Sequence, residues 1–297
     1  MTRLLETMRT PHVCFALLVA ASLGHAQDRS FVTEVRTMVD SDQQALYEFD
    51  NPNLVSLRHE VPDKALALAE GQLAFGVNKV FAHFDAFNAT DPTWTIMADA
   101  RTQWIDQVTI DGGDLNGTIG TFTASLLVFG SDAFTFSGAY NTPDADLYGF
   151  WDSWIGTSTD GGGSYLVGGW FGSWYSDGEG GIEYYGDELN QPLTEVTLEF
   201  IYGQPFLLSG NMEAYFHATN DSLLPGTVSG TLDFSHSAYW NGMDNFRDAN
   251  GNLVAIEGFS SRSGTDWLNP VPEPATMLAL ASGLGAFALR RRKASLV

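Results

Sequence analysis

Apolar and polar residues alternate with a period of two through several segments of the chain. Glu195–Phe200 sets Val196, Leu198 and Phe200 on one side and Glu195, Thr197 and Glu199 on the other. Thr227–Phe234 sets Val228, Leu232 and Phe234 inward. Thr121–Leu126 opposes Phe122, Ala124 and Leu126 to Thr121, Thr123 and Ser125, and Asn211–His217 opposes Met212, Ala214 and Phe216 to Glu213, Tyr215 and His217. Successive side chains of a strand point to opposite faces, so this pattern predicts strands with one buried face. Turn formers punctuate them at 111–114, 141–144, 160–163, 177–181 and 224–226. Asn250-Gly251, between Asp244–Arg247 and Leu253–Ile256, predicts a hairpin. The stretch 62–71 fits a short helix or a strand equally. No period of 20–50 residues recurs, which argues against a solenoid. Many short strands with regular turns predict an all-β body, a two-sheet sandwich of jelly-roll type.

One region departs from simple alternation. Residues 148–185 hold Tyr148, Phe150, Trp151, Trp154, Tyr165, Trp170, Phe171, Trp174, Tyr175, Tyr184 and Tyr185 among many glycines. Trp151 and Trp154 are three apart, as are Phe171 and Trp174, so each pair straddles its strand and one core cannot bury all of them. Two readings stay open: aromatics that fill the core, and a partly exposed platform on which sugar rings stack. The platform candidates are Trp151, Trp154, Trp170, Trp174 and Tyr175.

The ends of the chain follow another logic. A basic start leads into the apolar run Val13–Leu23, followed by Gly24-His25-Ala26. Small residues at 24 and 26 fit a secretory cleavage site, so residues 1–26 are expected to be a signal peptide. Glu6 is unusual in such a leader, and a start at Met8 gives a cleaner one. The only cysteine, Cys14, leaves with this segment. Residues 270–297 run from Val271-Pro272-Glu273-Pro274 through the apolar Ala275–Leu289 to Arg290, Arg291, Arg292 and Lys293. The 15 apolar residues rise about 22 Å as a helix, short for a bilayer core of about 30 Å. The basic cluster is expected to stay cytoplasmic, which puts the Pro-Glu-Pro motif at the far membrane surface. The two prolines keep that motif extended.

A Pro-Glu-Pro motif, an apolar helix and a basic stop at the extreme C-terminus closely resemble the PEP-CTERM sorting family. The resemblance implies recognition of Pro272, Glu273 and Pro274 by exosortase, a membrane protease-transpeptidase of Gram-negative bacteria that make exopolysaccharide. It implies a precursor held in the inner membrane by residues 275–293 and later delivered to the cell surface or the extracellular matrix. Such tails are also called ice-binding protein C-terminal domains, but the body shows no sustained threonine ladder. The body is similar to the β-rich passengers of this family at residues 104–110, 117–121, 233–240 and 248–252.

Between the two ends lies the passenger, residues 27–269. The whole chain of 297 residues carries 14 Lys and Arg against 36 Asp and Glu, a net charge of −22. The basic residues concentrate at the ends, so the passenger holds eight of them against 34 acids, a net charge of −26. No Lys or Arg occurs between Arg101 and Arg247. Nucleic acid is therefore excluded as a partner, since phosphate binding needs clustered Lys and Arg. No G-x-S-x-G, H-E-x-x-H or P-loop occurs, and no cysteine nucleophile remains, so no catalytic residue is assigned. With 34 acids, a carboxylate pair suited to glycoside hydrolysis arises easily by chance, for instance among Glu179, Glu183, Asp187 and Glu188. The pair His83 and Asp85 is too small for a zinc site. Calcium is the candidate cofactor, with Asp111, Asp114, Asp177 and Glu179 as candidate ligands in Gly-containing acidic loops. The sequence reading is thus an exported exosortase substrate whose passenger is a structural or carbohydrate-binding module. The alternatives are a polysaccharide-active enzyme and a ligand-free coat protein.

Overall fold

The computed structural model describes residues 31–87, 94–138, 145–159, 163–176, 182–187, 195–220 and 226–271. Fifteen strands run through them: β1 (Phe31–Val39), β2 (Asp42–Phe49), β3 (Val55–Val61), β4 (Ala65–Ala74), β5 (Val77–Phe87), β6 (Trp94–Asp111), β7 (Ile119–Val128), β8 (Ser131–Gly138), β9 (Ala145–Thr159), β10 (Gly163–Ser176), β11 (Ile182–Gly186), β12 (Val196–Ile201), β13 (Phe206–Asn220), β14 (Gly226–Asp248) and β15 (Gly258–Ser261). They form two antiparallel sheets. The eight-stranded sheet has the order β11-β10-β9-β13-β6-β1-β2, with β15 added on β6. The seven-stranded sheet has the order β12-β7-β14-β5-β4-β3, with β8 added on β14. The expected all-β sandwich is what the chain forms.

The alternations read from the sequence fall in β7, β12, β13 and β14 with the predicted faces inward. Phe122, Leu126, Leu198, Met212, Ala214, Phe216, Leu232 and Phe234 are all fully buried. The ambiguous stretch 62–71 resolves as strand β4, because Ala65, Ala67 and Ala69 alternate into the core and pair in register with β5. Small residues on β4 and β6 (Ala98, Ala100) let the sheets approach closely at one end. Gly71 lies at this close approach, where an added Cβ would be 2.7 Å from Thr33 Cγ2 of the facing sheet. The other end is filled by aromatics such as Phe122, Phe200 and Phe206.

Asn250-Gly251 does form a tight turn, with Gly251 at φ 82° and Asp248 accepting from the Asn250 and Asn252 amides. The return segment Leu253–Ile256 does not become a strand. It makes a single bridge, Arg247 to Leu253, because the chain then leaves to pair as β15 on the other sheet.

After β15 the chain straps across the end of the sandwich. Asp106 on β6 is 4% exposed and receives the Ser263 amide at 3.1 Å and the Trp267 indole N–H at 2.7 Å. Trp267 stacks on Trp104 at 4.5 Å and meets Trp240 edge-on at 5.4 Å. The Trp240 indole donates to the Trp267 carbonyl, and the Val271 amide to the Trp240 carbonyl at 2.9 Å. The fold therefore packs through Val271, past Asn269 and up to the residue before Pro272. Trp267→Ala removes the ring that closes this end and leaves Asp106 short of a donor. It is expected to destabilise the protein by about 3–5 kcal/mol in urea unfolding. An unchanged midpoint would mean that the strap lies outside the cooperative fold.

Candidate functional site

The face of the eight-stranded sheet turned away from the core carries the unusual chemistry. Cross-strand register sets two rows on it. One runs Tyr47, Glu34, Arg101, Glu213, Asp152, Phe171, from β2 to β10. The next runs Ala45, Arg36, Asp99, Tyr215, Phe150, Ser173 and reaches Tyr185 on β11. Flanking them on the same face are Gln103, Asn211 and Trp154 on one side, and Met97, His217, Tyr148 and Tyr175 on the other. From β2 to β11 the face spans six inter-strand intervals, about 29 Å.

An outer face of a sandwich is ordinarily wet, but much of this one is not. Asp99 is 0% exposed, Asn211 1%, Glu213 3% and Gln103 6%. Charge pairing makes this tolerable. Asp99 Oδ2 accepts from Arg36 Nε at 2.9 Å, and Asp99 Oδ1 from Arg101 Nε at 3.2 Å. Arg36 also meets Glu34 at 3.1 Å, and Arg101 meets Glu213 at 2.7 Å. Two guanidiniums thus serve four carboxylates, Glu34, Asp99, Asp152 and Glu213. Burial pushes Asp152 up to about 7; Arg101 opposes the rise and Asp99 adds to it. Burial raises Glu213 well above its ordinary value, helped by the charges of Asp99 and Asp152 and opposed by Arg101 and Arg36. Tyr148 is pushed up to about 12 by burial and by Glu213 and Asp152.

Aromatic rings surround these groups. Phe150 and Tyr215 stack at 5.1 Å, Tyr148 lies 5.7 Å from Phe150, and Tyr175 stacks on Tyr185 at 5.1 Å. Phe171, Tyr185 and Tyr47 are exposed. Three polar atoms of the face, Gln103 Nε2, Asn211 Oδ1 and Asp152 Oδ1, are shielded from solvent and make no hydrogen bond. Buried polar groups are nearly always paired, and core groups such as Asn78 are left unpaired too, but here the unpaired atoms lie beside the charged rows.

The structure separates the residues the sequence grouped. Trp151 and Trp174 are in the core, Trp151 against Phe234 and Trp174 against Phe134, and so lie off the outer face. Trp154 and Tyr175 are half-buried on the outer face. Trp170 is on β10, and its side-chain environment lies outside the described residues. The straddling of Trp151 and Trp154, and of Phe171 and Trp174, is realised: Trp154, Phe171 and Tyr175 lie on the outer face. Sequence reading missed Arg36, Asp99, Arg101, Asp152 and Glu213 as one group. Their only common signal is a charged residue at an outward position of an otherwise apolar strand.

The candidate calcium residues sit elsewhere. Asp111 is exposed and takes the Gly113 amide and the Asn116 side chain, which hold it below the usual carboxylate range. Asp114 is exposed in the following turn. Asp177 and Glu179 lie outside the described residues, as does Glu188. Glu183 accepts from Tyr185, and Asp187 accepts the Phe171 amide. His83 spends its nitrogens on Asp85 and Thr231, on the outer side of the seven-stranded sheet. Among the described residues, no three His, Cys, Asp or Glu side chains converge as metal ligands would.

The raised carboxyls make stability depend on pH. Asp152 faces Asp99 and Arg101 on β6, Glu213 and Tyr215 on β13, Glu34 and Arg36 on β1, and Tyr148 on its own strand; its β10 neighbour is Phe171. Between the ordinary carboxyl value of about 4 and about 7, the folded state binds more protons than the unfolded state. Stability therefore falls as pH rises through that window. Asp152→Asn is expected to flatten the dependence of melting temperature on pH. An equally steep curve in the variant would show that Asp152 is not the group being titrated.

No curated protein matches the chain. Among the described residues, no helix is long and apolar enough to cross a membrane, and residues 275–289 lie outside them. Residues 270–293 match the PEP-CTERM protein-sorting motif, which begins at the last residues of the strap that are described. Behind its all-β body the chain thus carries a C-terminal segment that matches the PEP-CTERM protein-sorting motif.

Proposed function

We propose that the protein is delivered to the cell surface or the exopolysaccharide matrix of a Gram-negative bacterium, and that its body is a carbohydrate-binding module. In this reading the leader 1–26 is removed on export. Residues 275–289 hold the precursor in the inner membrane, with Arg290, Arg291, Arg292 and Lys293 on the cytoplasmic side. Exosortase then acts at Pro272, Glu273 and Pro274.

One observation carries the binding reading. Aromatic rings and shielded, unpartnered polar atoms share one face about 29 Å across. Sugars present apolar ring faces that stack on Trp, Tyr and Phe, and hydroxyls that both donate and accept. The outer face carries both kinds of group side by side.

A second reading, hydrolysis of polysaccharide, is favoured by Asp152 and Glu213. They are opposite each other in register, and both hold protons above the usual carboxyl range. A glycosidase needs one carboxyl protonated and one ionised. Release of reducing ends from extracellular polymer would establish it, and binding without turnover would leave the module reading.

Two measurements test the proposal. Glu273→Ala is expected to leave full-length precursor in the inner membrane, and normal processing of that variant would overturn exosortase sorting. Paired Trp154→Ala and Phe171→Ala substitutions are expected to weaken polysaccharide pull-down about tenfold or more, with an unchanged circular dichroism spectrum. Stacking contacts of this kind are worth about 0.5–1.5 kcal/mol each, besides the area they bury.

A further inference from the structure

On the outer face carboxyls outnumber the guanidiniums that could pair with them. In the two central rows four carboxylates meet two guanidiniums. Asp99 takes hydrogen bonds from both arginines, and Arg101 is shared between Asp99 and Glu213. Asp152 Oδ1 is shielded and has no hydrogen-bond partner. Beside this row, Asn211 is almost wholly buried with Oδ1 unpartnered, and Gln103, its register partner, is buried with Nε2 unpartnered. Asn211 and Glu213 are two apart on β13, as Asp152 and Trp154 are on β9, so all four side chains share this face.

Two of the three unpaired atoms are carbonyl or carboxyl oxygens, in a group where carboxyls outnumber guanidiniums four to two and only protons make up the difference. The group that answers both is a cation with several donors and no acceptor, which describes a primary ammonium. The aromatic rings around it favour the same choice, because a ring face attracts a cation. The third atom, Gln103 Nε2, is a donor and wants an oxygen: a hydroxyl or a ring ether. One molecule carrying an ammonium beside hydroxyl and ether oxygens on an apolar ring is an amino sugar.

We propose that this face binds a polysaccharide of amino sugars in the free-amine form, its ammonium received by Asp152, Glu213 and Asn211 Oδ1. The proposal rests on the carbohydrate-binding reading and names its substrate class. Binding also relieves the protein, since an ammonium beside Asp152 replaces the proton that burial forces onto it. An N-acetylated sugar lacks the charge and presents a carbonyl acceptor and a methyl group where acceptors already face it.

The test is calorimetric titration of the protein with three probes of equal length: glucosamine oligomers, N-acetylglucosamine oligomers and cello-oligosaccharides. It is run where the amine is protonated, with spermidine as an ammonium lacking a ring. Glucosamine oligomers are expected to bind at least tenfold tighter than the other three. Asp152→Asn and Glu213→Gln are each expected to lose about tenfold or more for this probe. Glu199→Gln, an exposed carboxylate on β12 of the other sheet, controls for attraction to the acidic surface at large and is expected to change nothing. Equal binding of the neutral sugars overturns the ammonium site and leaves the carbohydrate module standing. Equal binding of spermidine, or an equal loss in Glu199→Gln, overturns it as non-specific charge attraction. No binding of any sugar removes both readings.

Discussion

The register of β6 between β1 and β13 is the constraint on which the rest of the molecule depends. β6 runs through 18 residues at the middle of the larger sheet, with partners from Trp94 to Asp111. Its even-numbered residues from Trp94 to Ile110 face the core, and its odd-numbered residues face away. A slip of one residue would drive Asp99 and Arg101 between the sheets and expel Ala98, Ala100 and Trp104. Isolated charges in such an interior cost several kcal/mol each even after relaxation. The hydrophobic face and the charged face thus specify the same register from opposite sides.

That register also explains why so much charge can stay shielded on one sheet. Asp99 lies directly across from Arg36 and two residues from Arg101, so each carboxylate oxygen meets a guanidinium. Arginine suits this position because its planar fork serves several oxygens at once. The pairing stops short of one guanidinium for each carboxyl, since Arg101 is divided among Asp99, Glu213 and Asp152. Structural networks that exist for stability tend to be satisfied throughout. The shortfall is the observation on which the binding proposal rests.

The strap after β15 links the fold to its address label. Asp106 gathers donors from Gln107, Ser263 and Trp267, and Trp267 fills the space beside Trp104 and Trp240. The packed body thereby runs to Val271, leaving no spacer before the Pro-Glu-Pro motif. The segment that matches the sorting motif, residues 270–293, thus begins within the strap.

Strand existence and facing were legible in the chain because period-two alternation is a local property. β7, β12, β13 and the first half of β14 could be read residue by residue, and so could the straddling of Trp151 and Trp154. The sorting tail was legible for the same reason: motif, apolar run and basic stop are contiguous. The pairing order of the strands was not, nor was the identity of the inner face among the aromatics of β9 and β10. Those depend on which strands become neighbours. Arg36 and Asp99 are 63 residues apart, and Asp106 and Trp267 are 161 apart. No local pattern announces that Asp152, Glu213 and Arg101 share one row. Alternation says that each of them points away from the core, but only the ladder of three strands brings them together, shields them and leaves two carboxyls beside one guanidinium.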